Sequence, residues 1–130
     1  MSEHFWSDIV RFHAKFQLPR PPVPRLLPDD VYNFRARFLQ EELDEFRAAC
    51  AGRNLADAAD ALVDLAYVAF GTAYLMGLDR PAHWAEVQRA NLGKVRADRA
   101  ESSKRGHALD VVKPPGWTPP DHAAILQRGR

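Results

Sequence analysis

The sequence has very little cysteine and almost no net charge, and each of these features excludes certain kinds of site. Its 130 residues include one cysteine, Cys50, so neither an intramolecular disulfide nor a thiolate zinc cluster can form. We interpret Cys50 as a small core residue near the end of a helix. The 18 Lys and Arg against 17 Asp and Glu give a net charge of +1, which excludes the strongly basic surface that nucleic-acid binding usually needs.

Long apolar runs are also missing. No run of about 18 apolar residues is free of charged side chains, so we predict no membrane-spanning segment. The N-terminus lacks a basic stretch followed by an apolar one, and we therefore expect a cytoplasmic protein. Apolar residues make up 46% and charged residues 27%, the balance of a globular protein. A chain of this length buries one core, so we predict a single domain over residues 1–130.

Strand signals are absent, whereas apolar residues recur at helical spacing. Prolines before residue 28 separate a first helix from a second, which Asp29 or Asp30 can cap and Gly52 ends. Asn54 or Asp57 is expected to begin the third. From about residue 100 the chain turns polar and proline-rich, which predicts a mostly irregular tail. The predicted fold is an all-α bundle of four to five helices, at about 3–16, 29–51, 54–77 and 79–95.

Acidic residues stand on faces of these helices that should be apolar. A helix advances about 100° per residue, which places Glu42 and Glu45 in the same stripe as Phe38, with Glu41 at its edge. On the third helix, Asp57, Asp60 and Asp64 form one line in a segment that is otherwise apolar on all sides. A helix that is apolar all round is usually buried, and an isolated buried carboxylate is costly. These acids must therefore be protonated, paired with arginines, in a wet groove or bound to metal.

The type of acid favours a hard divalent cation. Carboxylate oxygens without histidine or thiolate select Mg²⁺, or Mn²⁺ in its place, over zinc. A di-iron centre of the ferritin type would need Glu-x-x-His on its helices, and His13, His83 and His107 do not follow a glutamate at that spacing. The cations expected near these faces, Arg35 and Lys94, are too few to pair all the acids. We therefore predict a magnesium site between the second and third helices.

Other residues are candidates for substrate contacts. Lys94 and Asn91 fall on the apolar stripe of the fourth helix, where an ammonium can contact a phosphate oxygen beside a metal. Trp117 could stack on a base or hold the tail against the body, and Tyr67 continues the aspartate line. Each has a structural alternative, such as a lysine whose stem covers apolar surface. The full set of predicted substrate contacts is Arg35, Tyr67, Asn91, Lys94, Lys113 and Trp117.

The pattern as a whole resembles a known superfamily. The segment "EELDE" at 41–45, followed by a helix with aspartates at 57, 60 and 64, is similar to the all-α nucleoside triphosphate pyrophosphohydrolases. These include MazG, the dimeric dUTPases and phosphoribosyl-ATP pyrophosphohydrolase. The short MazG-like branch is the better match, since the similarity extends over "RFHAKFQLP", "LADAADALVDLAYVAFGTA", "VQRANLGKV" and "VVKPPGWTPPD".

The resemblance implies roles for the acids. The metal-binding glutamates of the superfamily correspond to Glu42 and Glu45, with Glu41 as a further ligand or as the base that orients water. The second motif is usually Glu-x-x-Asp, but here the candidates are Asp57, Asp60 and Asp64, and Ala61 stands where an alignment on Asp64 expects glutamate. We expect Asp60 and Asp64 to bind metal, with Asp57 as the third choice.

The implied activity is hydrolysis of a nucleoside triphosphate between its α and β phosphates, giving a monophosphate and pyrophosphate. We expect it to use Mg²⁺ and to remove unwanted nucleotides. Two alternatives stay open: phosphoribosyl-ATP hydrolysis in histidine biosynthesis, and a non-catalytic nucleotide-binding helical module. The apolar surface of the helices and the assemblies typical of the superfamily predict a homodimer or homotetramer, without nucleic-acid or membrane partners.

Overall fold

The computed structural model describes residues 2–128, which are mostly helical. Residues 2–128 form five α-helices, one 3₁₀ turn and one pair of very short antiparallel strands. The all-α prediction is therefore confirmed. In chain order the elements are α1 (Ser2–Lys15), α2 (Asp29–Ala51), α3 (Leu55–Leu75), α4 (Arg80–Leu92), β1 (Val95–Arg96), the 3₁₀ turn Ala100–Ser102, β2 (Val111–Val112) and α5 (His122–Gln127).

The first turn of α2 has no side-chain cap, whereas the first turn of α3 has one. Pro28 precedes the first turn of α2 and provides no side-chain cap, so Asp29 and Asp30 lie inside that turn rather than capping it. Their charges still suit the positive end of the helix dipole. Asn54 caps α3, as predicted, because its side-chain oxygen accepts the N–H of Asp57 at 3.0 Å. The turn between the two helices spans only residues 52–54, which limits where their acidic segments can lie.

The chain forms two compact units, Met1–Arg80 and Pro81–Arg130. In the first unit, α2 packs extensively along α3, and α1 packs against α3. Ile9 of α1, Ala61 and Val68 of α3 are almost fully buried. Gly71 allows the closest approach: a Cβ there would lie 2.9 Å from an Arg35 terminal nitrogen and 3.1 Å from His13 Cε1. The long segment between α1 and α2 returns to α3 through Arg20, which donates to the carbonyls of Tyr74 and Leu78.

The second unit is more ordered than the sequence predicts. Helix α4 ends at Leu92 rather than reaching Val95, because the chain turns there into β1. Val95 pairs with Val112 and Arg96 with Val111, a ladder too short to leave an alternating pattern in the sequence. The expected irregular tail also contains α5, whose start is capped when Asp121 accepts the N–H of Ala124.

Two burial predictions are wrong. Cys50 is exposed, because it lies about 100° around α2 from the buried Ala49. Helix α3 is not buried on all sides, since Leu62 and Val63 are 51% and 65% exposed. In the described part of the chain, α3 is also the one helix long and apolar enough to cross a membrane by length and composition, with a mean hydropathy of 1.3. Core helices of soluble proteins have the same properties.

Candidate active site

The acidic segments of α2 and α3 meet around Glu42. This side chain is only 8% exposed, although it carries a carboxyl group. Burial raises its pKa above the ordinary value, and the nearby Glu45, which also shares a hydrogen bond with it, raises the pKa further. Asp64 and Asp60 act on it in the same direction from α3. Four of the predicted metal ligands therefore lie close enough to interact electrostatically.

One atom of Glu42 stands out in this cluster. Its Oε2 is buried, and it has no hydrogen-bond partner within residues 2–128. Buried carboxylate oxygens are normally satisfied by a donor, an ion pair or a cation. Glu42 alone of the cluster is buried, whereas Glu45 and Asp60 are exposed and Asp64 is half-buried. The acids therefore line the rim of the α2–α3 interface rather than its centre, which differs from the expected inward orientation of Glu45.

The donors suit a hard cation in kind, because the charged groups that act on Glu42 are all carboxylates. Their arrangement is looser than a coordination sphere: in the described ranges, no group of three or more His, Cys, Asp or Glu side chains is arranged to hold a metal ion. The unsatisfied oxygen and the repulsion that raises the Glu42 pKa are features that a bound divalent cation would relieve. The residues therefore fit such an ion chemically.

Two predicted acids lie outside this cluster. Asp57 is exposed, and its carboxylate accepts a hydrogen bond of 2.8 Å from the side-chain amide of Asn54. It is thus engaged in the cap of α3. Glu41 is exposed and lines a separate groove of about 270 Å³ with Phe34, Arg37 and Phe38. That position leaves the Glu41 carboxylate accessible to water.

Arg35 is part of the packing between α2 and α3. It is 8% exposed, and burial lowers its pKa below the ordinary value for arginine. Its Nε donates to the Thr72 hydroxyl at 3.0 Å, and a terminal nitrogen donates to the Val68 carbonyl at 2.9 Å. These bonds hold the guanidinium against α3, one helical turn beyond Tyr67.

Tyr67 lies where α3 meets α1. Its ring contacts the edge of Phe12 at a centroid distance of 5.4 Å and an angle of 85°. Burial, followed by the negative charge of Asp8, raises the pKa of its hydroxyl. Tyr67 also lines an open groove of about 750 Å³ along α1, together with Asp8, Arg11, Phe12, Ala14 and Lys15. The sequence reasoning missed Arg11 and Lys15, although they share one face of α1 at the helical spacing of four.

The other predicted substrate contacts belong to the second unit. Trp117 donates its indole N–H to the Ala90 carbonyl at 2.6 Å, so the tail is attached to α4. The Lys94 and Lys113 ammonium groups lie 5.6 Å and 4.8 Å from the centre of the Trp117 ring, within cation–π range. Asn91 is exposed. The structure thus brings three of the four predicted residues together around one indole.

Comparison with known proteins gives the family. No curated protein matches the chain. The family model for phosphoribosyl-ATP pyrophosphohydrolase matches residues 9–91, which is well over half of the chain. The match includes the carboxylate cluster, Tyr67 and Asn91, and it ends before Lys94. The chain therefore belongs to the phosphoribosyl-ATP pyrophosphohydrolase family of the MazG-like superfamily, and it is a hydrolase that acts on acid anhydrides.

Proposed function

We propose that this protein is a Mg²⁺-dependent nucleoside triphosphate pyrophosphohydrolase that cleaves between the α and β phosphates and removes unwanted nucleotides in the cytoplasm. The observation that carries the proposal is the buried Glu42. Its Oε2 has no hydrogen-bond donor in residues 2–128, and its negative charge is repelled by the nearby carboxylates of Glu45, Asp60 and Asp64. A cluster of this kind weakens the fold unless it has a positive ligand. The pyrophosphohydrolase family supports a nucleotide as the source of the reacting phosphates.

Glu42, Glu45, Asp60 and Asp64 would hold Mg²⁺, or Mn²⁺ in its place, with Asp57 as a further candidate. When bound, such an ion neutralises phosphate charge and lowers the pKa of a coordinated water. The buried position of Glu42 fixes one carboxylate, while the exposed Glu45 and Asp60 are free to adjust to the substrate. Because a triphosphate is strongly anionic, the uncompensated acids would repel it.

The exposed Glu41 is suited to act as the general base. Its carboxylate would accept a proton from the attacking water, whose oxygen forms a new bond to phosphorus. The bridging P–O bond then breaks, and its electrons leave with pyrophosphate. Lys94 and Lys113, which lie beside Trp117, and Asn91 are the proposed substrate contacts carried by the second unit. Arg35 would act by holding α2 against α3, next to Tyr67.

One alternative substrate has specific support. The matching family model is named for phosphoribosyl-ATP, a nucleotide that carries the same triphosphate chain. Hydrolysis of that compound would use the same carboxylates and give the same pyrophosphate. The two substrates differ by a phosphoribosyl group, so competition between them distinguishes the two functions. A clear preference for phosphoribosyl-ATP over all ordinary nucleotides would replace the house-cleaning proposal.

The first experiment is a substrate panel. Each NTP and dNTP is incubated with the protein and Mg²⁺ or Mn²⁺, and pyrophosphate and orthophosphate are measured separately. Metal-dependent release of pyrophosphate supports the proposal, whereas orthophosphate alone would mean a different cleavage. A folded protein that turns over no substrate, phosphoribosyl-ATP included, would favour a non-catalytic binding module.

A matched pair of variants tests the carboxylate cluster. Glu45→Gln removes one proposed ligand charge and should lower kcat about 100-fold or more, because a metal ligand is lost. Asp44→Asn is the control: Asp44 is exposed on the same helix, where it accepts a hydrogen bond from Gln40. Equal activity of Glu45→Gln and Asp44→Asn, with both folded by circular dichroism, would contradict the assignment.

A further inference from the structure

The proposed mechanism leaves an open groove along α1 of the first unit unused. Four side chains of α1 line it on one face, at positions separated by three or four residues: Asp8, Arg11, Phe12 and Lys15. Helix α3 contributes Tyr67 to the same groove, whose volume is about 750 Å³. Its walls thus combine two cations and one acid with two aromatic rings.

The groove and the carboxylate cluster lie on one continuous face of α3. Tyr67 follows Asp64 by three residues, which is about 4.5 Å along the axis and less than a quarter turn around it. The negative charge of Asp64 raises the pKa of Glu42 on α2. A ligand that spans one helical turn can therefore contact both the acidic cluster and the Tyr67 side of the groove.

The direction of α1 places its cations toward the acids. Trp6 packs on Tyr74 at 6.2 Å between ring centroids, and Phe12 packs on Tyr67 at 5.4 Å. Residue numbers thus increase along α1 while they decrease along α3, so the two helices are antiparallel. One further turn of α1 beyond Phe12 brings Lys15 toward the level of Asp64.

The cations of the groove are available to a ligand. Arg11 and Lys15 are exposed, and neither takes part in an ion pair within the described part of the chain. The Lys15 ammonium lies 5.4 Å from the centre of the Phe16 ring, a weak contact that a phosphate can replace. Asp8 offsets one of the two positive charges, which leaves the groove with a net charge of +1 beside a strongly negative cluster.

We propose that Arg11 and Lys15 bind the phosphate chain of the substrate, so that α1 supplies the cationic half of the active site and α2 and α3 supply the acidic half. The inference takes its substrate class from the proposed nucleotide hydrolysis. A polyphosphate can contact both halves, because it needs positive charge along its whole length. Mg²⁺ held by the acids would provide that charge in one half, and Arg11 and Lys15 would provide it in the other. Phe12 and Tyr67 line the groove between the two halves, and the Tyr67 hydroxyl can donate a hydrogen bond to a phosphate oxygen.

Steady-state kinetics tests this assignment. Arg11→Gln and Lys15→Gln keep an unbranched polar side chain of similar helix propensity but remove its charge. Each variant should raise KM about tenfold, the value of one charge-assisted hydrogen bond, with kcat within about twofold of wild type. Asp8→Asn should lower KM, since it removes a negative charge from the groove. The control is Arg47→Gln, an exposed arginine of α2 outside the groove.

Equilibrium binding separates this proposal from the proposed reaction. Inorganic tripolyphosphate with Mg²⁺ is titrated by calorimetry into wild type and into the Arg11→Gln/Lys15→Gln double variant. Loss of binding in the double variant supports the groove, even where wild type hydrolyses no nucleotide. Equal binding by both proteins, or no binding by wild type, overturns it even where pyrophosphate release establishes the reaction. A KM that is unchanged in both single variants would also overturn the proposal.

Discussion

At the residue scale, Arg35, His13 and Glu42 are all buried in the first unit, but their polar atoms are satisfied in different ways. Arg35 is satisfied by two hydrogen bonds to α3, and His13 is satisfied by the Ile9 carbonyl at 2.7 Å from its Nδ1. Glu42 retains an oxygen without a donor in residues 2–128. Packing explains the first two, because their polar atoms complete the contacts between helices. Packing does not explain the unsatisfied oxygen of Glu42, which indicates a bound ligand.

His13 predicts a pH dependence of stability. Burial lowers its pKa below the ordinary value of 6.5, the Ile9 hydrogen bond opposes that shift, and the charges of Arg35 and Arg20 add to it. The unfolded chain therefore binds a proton at a higher pH than the folded one. The stabilisation that the neutral ring provides is complete above pH 6.5, and it is lost as the pH falls through that value towards the folded pKa.

The measurement is the free energy of unfolding by urea between pH 8 and pH 5, for wild type and for His13→Asn. Asparagine keeps a donor for the Ile9 carbonyl but does not titrate. We expect the variant to be less stable at pH 8, since it fills less of the space beside Gly71, but to lose less stability than wild type on acidification. Identical losses in the two proteins would contradict this account of His13.

At the scale of elements, the helices were more predictable than the tail. The boundaries of α2 and the Asn54 cap of α3 follow from local signals that act within one turn. The acidic lines on α2 and α3 follow from spacing alone. The groove of α1 could not be anticipated, because Arg11 and Lys15 are ordinary surface residues until the packing of Phe12 on Tyr67 places them. Cys50 shows the same limit, since its exposure depends on which side of α2 meets α3.

The tail is attached to one face of α4 by side chains from successive turns. His83 and His122 share a hydrogen bond between their Nδ1 atoms at 2.8 Å, and the Glu86 carboxylate accepts the Asp121 N–H at 2.9 Å. Arg89 donates to the Thr118 hydroxyl and the Pro119 carbonyl. Trp117 completes the series at the Ala90 carbonyl. These contacts explain why a proline-rich segment without a helical pattern adopts a defined path.

The Trp117 contact predicts the behaviour of the tail. Trp117→Phe removes the indole N–H but keeps an aromatic ring, so the Ala90 hydrogen bond is lost at a cost of about 1 kcal/mol. We expect faster cleavage of residues 113–121 by a non-specific protease, while α2 and α3 are digested at the wild-type rate. Val111→Ala, an exposed position of β2, serves as the control. Unchanged cleavage of the tail would show that the other α4 contacts are sufficient to hold it.

At the scale of the whole molecule, α3 has an exposed apolar side. Leu62 and Val63 lie on this helix 51% and 65% exposed, although its sequence is apolar nearly all round. Apolar side chains grouped on one helix are typical of an interface. The predicted homodimer or homotetramer would cover them, and the hydropathy of α3 raises a membrane surface as the competing partner.

Charge substitution at this surface distinguishes the two partners. Leu62→Lys/Val63→Lys should convert an oligomer into monomers, because pairing would bury two ammonium groups on each chain, and the loss is measured by sedimentation equilibrium. Leu109→Lys is the control, since Leu109 is 76% exposed in the second unit. A wild-type protein that sediments as a folded monomer and turns over at full rate would contradict the oligomer. Co-sedimentation of that monomer with phospholipid vesicles, abolished in the double variant, would instead assign this face of α3 to a membrane surface.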